Sequence, residues 1–241
     1  NRYVRGNIHL TKVDSEYPDN KLTGATFEVY KDSNANGKLD DGDELLGTLT
    51  EKEKGEYSMN DLFYGRYFVK ETKAPEGFVL DTGVYEVMID TNGKTYEVEN
   101  KAGVGFINDA MRGNLKIVKT SSDGKVKGFA FRITGANGYD IILETNDKGE
   151  IFIDGLRIGD YTISEVSNSA SSMYVIPADK KATVKIGSTT IVEMHNLLRD
   201  TPKTGDTTNL PLLYALAGLS AVGIAVCGVI GFKKKKKEDR N

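Results

Sequence analysis

Two stretches of the chain follow one pattern without a gap: NRYVRGNIHLTK at 1–12 and NDAMRGNLKIVK at 108–119, both N-x-x-x-R-G-N-[IL]-x-[IL]-x-K. A second pair, GEYSMNDLFYGRYFVKE at 55–71 and GEIFIDGLRIGDYTISE at 149–165, also aligns without a gap. A chain that repeats itself in this way builds one unit twice, so two related domains are expected, at 6–109 and 113–197. Within the repeats apolar and polar residues alternate, the period of a strand with one buried face. An abundance of Thr, Val, Ile, Tyr and Gly, with Asn-Gly and Asp-Gly pairs throughout, favours strands joined by tight turns over helices. The expected fold class is all-β. Between its Lys and its Glu the first unit is 13 residues longer, and most of the excess falls at DSNANGKLDDGDE.

Alternation also places polar groups where core belongs. Residues two apart in a strand share a face. Lys12 then lies with Ile8 and Leu10, and Lys119 with Leu115 and Ile117. Glu71 follows Tyr67 and Val69, and Glu165 follows Tyr161 and Ile163. Asn108 falls in line with Val104 and Phe106, and Asn196 with Val192 and Met194. Lys and Glu at a strand end commonly emerge into solvent, or form a plain ion pair. The same three residue types recurring in both units favour a chemical role. Burial lowers a lysine pKa and raises a glutamate pKa, because each shift favours the neutral form. A neutral amine is a nucleophile, and a protonated carboxyl can polarise an amide and shuttle protons. Together they can join Lys to Asn in an isopeptide bond with loss of ammonia. Asn100 and Lys116 are alternative partners, which alternation and the repeat alignment disfavour.

The net charge of −3 is unevenly spread: residues 1–204 carry 26 basic and 32 acidic groups. An acidic body argues against nucleic acid as a partner. The one cysteine, Cys227, lies inside an apolar run from Leu210 to Phe232, so residues 1–204 can form no disulfide. That run is long enough for a transmembrane helix (210–232) and is followed by a basic tail (233–241) that stays cytoplasmic. No leader peptide is visible and the first residue is Asn, so a fragment or processed chain is expected.

Several stretches are familiar as a group: GNIHLTKVD, KLTGATFEVYKD, GRYFVKETKAPEGF and GVGFIND. With them, both units resemble the CnaB-type, SpaA-like domains of Gram-positive surface proteins and pilins. Tyr67-x-x-x-Glu71-Thr72-x-Ala74-Pro75-x-Gly77-Phe78 is similar to the E-box of pilin domains. The resemblance implies two tandem Ig-like, prealbumin-like sandwiches of seven strands each. It also implies a Lys12–Asn108 bond made by Glu71, and by repeat a Lys119–Asn196 bond made by Glu165. After Glu165 the second unit runs VSNSASSMYVIP and departs from the E-box. Asn1 aligns with Asn108, so residues 1–5 read as the end of a preceding domain of the same kind. TPKTG, within a 198–209 linker, resembles the LPXTG sorting signal, with Thr201 where Leu is usual. That resemblance implies a sortase that cuts after Pro202 and Lys203, between Thr204 and Gly205. The acyl group passes to an amine of peptidoglycan or of another pilin, so the membrane precursor is transient and the product is a secreted, wall-anchored surface protein.

DSNANGKLDDGDE also fits much of a calcium loop, with oxygen donors Asp32, Asn34, Asn36, Asp40, Asp43 and Glu44 around Gly37. Calcium is thus a candidate ligand, and no cofactor is required. His9 and His195 are the only histidines, and no Ser–His–Asp set or phosphate-cradling loop can be placed. The chain reads as no enzyme beyond single-turnover bond formation. The expected function is a structural stalk of an adhesin or pilus subunit. The alternatives are a module that binds a host protein or glycan, and a spacer in a larger surface enzyme.

Overall fold

The computed structural model describes residues 3–200. The 210–232 span, the 233–241 tail, and Pro202, Thr204 and Gly205 lie outside the described residues, among which no helix is long and apolar enough to cross a membrane. Domain 1 has nine strands: β1 Arg5–Asp14, β2 Thr26–Lys31, β3 Glu44–Thr48, β4 Thr50–Glu53, β5 Glu56–Phe63, β6 Gly65–Lys73, β7 Val84–Ile89, β8 Thr95–Glu97 and β9 Phe106–Asn108. Domain 2 has eight: β10 Arg112–Ser121, β11 Ala130–Thr134, β12 Asp140–Glu144, β13 Glu150–Arg157, β14 Gly159–Val166, β15 Tyr174–Val175, β16 Lys180–Val184 and β17 Thr189–Leu198.

Each domain is two facing sheets. In domain 1 they run β4-β5-β1-β8, with β9 also on β1, and β3-β2-β6-β7; in domain 2, β13-β10-β17-β15 and β12-β11-β14-β16. The strand count exceeds the seven implied by resemblance because short pieces flank the main strands. In domain 2 the last strand β17 runs parallel to the first, β10, unbroken from Asn114↔Thr189 to Ser121↔Asn196. In domain 1 the same track is split: β8 covers Asn7–His9 and β9 covers Lys12–Asp14. The chain between them loops out and returns at Gly105, which has φ +125° and approaches so closely that a Cβ would stand 2.8 Å from the Thr11 carbonyl oxygen.

Strand alternation shows directly in burial, which alternates along β1 as far as Lys12 and along β10 as far as Lys119. One core gathers Ile8, Leu10, Phe27, Val29, Val69 and Phe106; the other gathers Leu115, Ile117, Phe131, Ile133, Ile163 and Met194. The repeated R-G-N glycine is explained by contact. A Cβ on Gly6 would meet the Lys94 carbonyl oxygen at 2.9 Å, and one on Gly113 the Lys185 carbonyl oxygen at 2.0 Å. The repeated tyrosines match as well: Tyr67 and Tyr161 donate their hydroxyls to the carbonyls of Phe63 and Arg157, at 2.7 and 2.9 Å.

Candidate functional site: buried Lys, Glu and Asn in each sandwich

Parallel pairing of first and last strands sets the site. Lys12 pairs in register with Phe106, and Asn108 lies two residues on, so both side chains point into the core. Glu71 comes from β6 in the opposite sheet. Lys12 and Glu71 are fully buried and Asn108 nearly so. Glu71 sits between the other two: Oε1 is 3.7 Å from Lys12 Nζ, and Oε2 accepts the Asn108 amide at 2.8 Å. Lys12 Nζ also donates to the Phe106 carbonyl at 3.0 Å. The Asp81 backbone N–H donates to Glu71 Oε2 at 2.8 Å. Asn108 Oδ1 and Glu71 Oε1 are buried without a hydrogen-bond partner. Asn108 Nδ2 also donates to the Val79 carbonyl, so Oδ1 faces away from the carboxyl, and a protonated Glu71 can donate to it only after the amide turns about χ2 and leaves Val79.

Domain 2 repeats the set. Lys119, Glu165 and Asn196 are buried, and Asn196 Nδ2 donates to Glu165 Oε1 at 2.7 Å. Asn196 Oδ1 and Glu165 Oε2 are again without partners. The lysine differs: Lys119 Nζ donates to the Thr120 carbonyl and stands 4.1 Å over the Phe129 ring, and among the described residues no ion pair joins it to Glu165. In both sites burial dominates the titration. It pulls Lys12 down to about 8 and lowers Lys119, and it pushes Glu71 and Glu165 up. Each site thus moves towards a neutral amine beside a neutral acid.

These shifts have a sign in stability. Between about 8 and the ordinary lysine value of 10.5, the unfolded chain holds a proton that folded Lys12 has lost, so stability rises with pH. Above the ordinary 4.5 of glutamate, folded Glu71 holds a proton the unfolded chain has lost, so stability falls as pH rises through the raised value. An Asn108→Ala variant, which keeps Lys12 and Glu71 and removes the amide beside them, is expected to lose melting temperature as pH climbs above 4.5 and regain it from about 8. The recovery should vanish when Lys12→Met is added; a recovery that persists refutes the assignment to Lys12.

The alternative partners fall elsewhere. Asn100 accepts from the Ile107 N–H at 2.7 Å and donates to the Ile107 carbonyl at 2.9 Å and to Asp81 at 2.8 Å, so both ends of its amide are occupied. Lys116 is half-exposed and pairs with Glu150 at 2.7 Å. Sequence reasoning missed Asp81, which takes the Asn100 amide, the Tyr85 hydroxyl and the Gly83 N–H. A cleft of about 310 Å³, lined by Leu80, Asp81, Tyr85, Asn100 and Asn108, opens beside the Asn108 amide.

The E-box tail has a second use. Phe78 pairs with Ala110, the Met111 N–H donates to the Gly77 carbonyl at 2.8 Å, and the Val79 N–H donates to that of Asp109 at 2.8 Å. The motif therefore anchors the link to domain 2. Domain 2 lacks the motif, yet Tyr174 pairs with Leu198 in the matching place. There the Asn168 side chain accepts the Ala170 and Ser171 N–H groups and shapes the preceding turn.

The candidate calcium loop is closed by its own hydrogen bonds. Asp32 accepts the Asn36 and Gly37 N–H groups, Asp40 accepts the side-chain amides of Asn34 and Asn36, and Asp43 accepts the Ser33 and Asp40 N–H groups. Arg66 stands 3.5 Å from Asp32, and Glu44 begins β3. Among the described residues no three Asp, Glu, His or Cys side chains gather as a metal cage. His9 lies between Glu56 and Glu97, at 2.9 and 2.7 Å, and His195 meets Thr120.

A model of the family described as SpaA, prealbumin-like fold domain, matches residues 6–102 and again 113–197. The trypsin-resistant surface T6 protein of Streptococcus pyogenes serotype M6 is 26% identical over 194 residues, which is 68% of this chain and 34% of that protein. The Bacillus anthracis TIE protein is similar in structure, with a TM-score of 0.60 and 26% identity over 80% of this chain and 34% of that one. GBS52, the minor pilin of Streptococcus agalactiae, shares 19% identity over 83% of this chain and 99% of its own, at a TM-score of 0.38. The chain spans about a third of the length of the T6 and TIE proteins.

Proposed function

Because this chain belongs, over both of its domains, to the SpaA family of prealbumin-like fold domains, we propose that it is a structural stalk of a Gram-positive surface protein or pilus subunit, closed by a self-made isopeptide bond in each domain. The observation that carries the reading is the buried Lys–Glu–Asn set, present twice, in which a lysine of the first strand and an asparagine of the last meet a glutamate of the facing sheet. A buried charge that is neither paired nor neutralised costs several kcal/mol. Retaining two ionisable groups and an amide in each core makes sense if they react.

In the proposed step, neutral Lys12 Nζ attacks Cγ of Asn108 while Glu71 donates a hydrogen bond to Oδ1. The C–N bond to Nδ2 breaks, and Glu71 carries the proton from Nζ to the leaving nitrogen, which departs as ammonia. One amide is exchanged for another, and no oxidant or cofactor is consumed. The cleft beside Asn108 offers the exit. Lys119, Glu165 and Asn196 take the same parts in domain 2, where Lys119 must first turn from the Thr120 carbonyl towards Asn196.

The outer end of the stalk reading rests on TPKTG, the apolar span and the basic tail. In it, a sortase exchanges the Thr204–Gly205 peptide bond for one to a wall or pilin amine, and the mature protein stands at the cell surface. Intact-mass measurement of residues 1–204 tests the core of the proposal. The expected mass is the sequence mass less two ammonias; full sequence mass refutes it. Incubation with a sortase of the producing cell and a small amine should give a product ending at Thr204.

A further inference from the structure

The junction between the two domains is built, not merely linked. The Arg157 guanidinium of domain 2 forks onto Asp14 at 2.6 and 2.8 Å and onto Glu16 at 2.7 Å, while Arg112 pairs with Glu16. Arg157 also lies over the Tyr17 ring, 4.8 Å from its centroid. Asp14 is fully buried and Arg157 mostly so. The end of domain 2 that enters this junction has a close counterpart at the other end of the chain.

The counterpart is the end of domain 1 around Tyr3, Arg5, Phe63 and Tyr64. The Tyr64 N–H donates to the Val4 carbonyl at 3.0 Å, as the Ile158 N–H does to that of Met111 at 3.0 Å. The Gly93 N–H donates to the Arg5 carbonyl as the Gly187 N–H does to that of Arg112. The Asp61 N–H donates to the Asn7 side chain at 3.0 Å and the Gly155 N–H to that of Asn114 at 3.1 Å. Arg5 pairs in register with Phe63, as Arg112 does with Arg157. The covering differs. Ala110 is buried against Phe78, whereas its counterpart Tyr3 is 72% exposed, with Phe63 at 48% and Tyr64 at 61%. Tyr3 meets the Phe63 ring edge-on at 6.2 Å, and the Arg5 guanidinium lies 4.0 Å over the same ring.

The geometry points to this aromatic face as the docking surface for a further prealbumin-like domain, placed ahead of residue 3 in the same polypeptide. The partner would present the end that domain 1 presents to domain 2, and the chain would pass from it into β1. Its chemistry can be specified. Phe63 stands where Arg157 stands, so the partner has a neutral or apolar group where domain 1 has Asp14. Domain 2 itself has such an end, with Ser121 at the place of Asp14 and Tyr174 at that of Phe78. The inference extends the stalk reading by one contact and does not depend on the cross-link.

A fusion tests it: a copy of residues 113–195 placed directly ahead of Asn1, so that Asn1 stands in the register position of Asn196. Hydroxyl-radical footprinting should show labelling of Tyr3, Phe63 and Tyr64 falling several-fold relative to the unfused chain. Unchanged labelling overturns the proposal. Intact mass, read separately, reports whether the added copy also bonds to Asn1, so failure of the bond is distinct from failure of docking. A second measurement needs no fusion. The triple variant Tyr3→Ser, Phe63→Ser, Tyr64→Ser in the present chain should melt where the parent does, since a face awaiting a partner adds little to domain 1. A melting temperature several degrees lower makes the cluster an internal support of domain 1 and overturns the proposal.

Discussion

Glu71→Ala is expected to give a domain 1 of full sequence mass that melts about 20 °C below the parent, the larger of two large effects. The size follows from the proposed cross-link. Bonding Lys12 to Asn108 closes a loop of roughly a hundred residues, which by loop-closure entropy stabilises the fold by about 4–5 kcal/mol. For a domain of this size each kcal/mol moves the melting temperature by about 4–8 °C. The variant also leaves Lys12 buried without its carboxylate, but an amine already drawn down to about 8 can deprotonate, which limits that added cost. Asn108→Ala and Lys12→Met separate the two contributions. Both abolish the bond, and Lys12→Met leaves no buried amine. Each of the three should fall short of its own sequence mass by one ammonia, where the parent falls short by two. A deficit of two ammonias in Glu71→Ala would remove Glu71 from the chemistry, and a deficit of one with an unshifted melt would remove the bond from the stability.

Arg157→Ala has the second large effect, at the junction. Asp14 is fully buried and accepts both guanidinium nitrogens of Arg157. Breaking a buried pair from one side typically costs about 3–5 kcal/mol, because the remaining charge is stranded. The Glu16 and Tyr17 N–H groups still reach Asp14 Oδ1, so the lower end, about 3 kcal/mol, is expected. Denaturant melts should show this loss. Asp14→Asn in the same chain should recover most of it, since no charge is then stranded. Arg157→Ala should also speed proteolysis in 109–112, the segment that Gly77, Val79 and Ile158 hold by backbone hydrogen bonds. Equal melts for parent and Arg157→Ala would mean the pair contributes nothing net.

The core site was legible because strand alternation is rigid: Lys12, Glu71, Asn108, Lys119, Glu165 and Asn196 all fell on the buried face that the apolar residues two apart predicted. The same rule applied one step further along β1 would have placed Asp14 beside Leu10 and Lys12, and so flagged a second buried charge. Its partner could not be read, since Arg157 lies on an unrelated strand of the other domain and looks like any polar strand-end residue. Asp81 was hidden for a different reason. It sits on the irregular connection between β6 and β7, where no periodicity tells which way a side chain points. Domain 1 reaches Asn108 through a looped-out segment, and Val104, expected on the last strand, lies in that loop. In domain 2 the missing E-box proved a poor guide to shape, because Asn168 rebuilds the turn with different side chains.

Parallel pairing of the first and last strands has a mechanical consequence. Pulling on the two ends of a domain loads adjacent parallel strands in shear, so their ladder hydrogen bonds resist together instead of unzipping singly. With the Lys12–Asn108 bond closed, tension enters along β1, crosses at Lys12 and leaves at Asn108. Everything from Val13 to Ile107 is then bypassed. Without the bond, that stretch could pay out on the order of 300 Å of slack at full extension. With it, loops such as 32–43 and the 98–105 excursion carry no force, and can change in length and sequence without weakening that path.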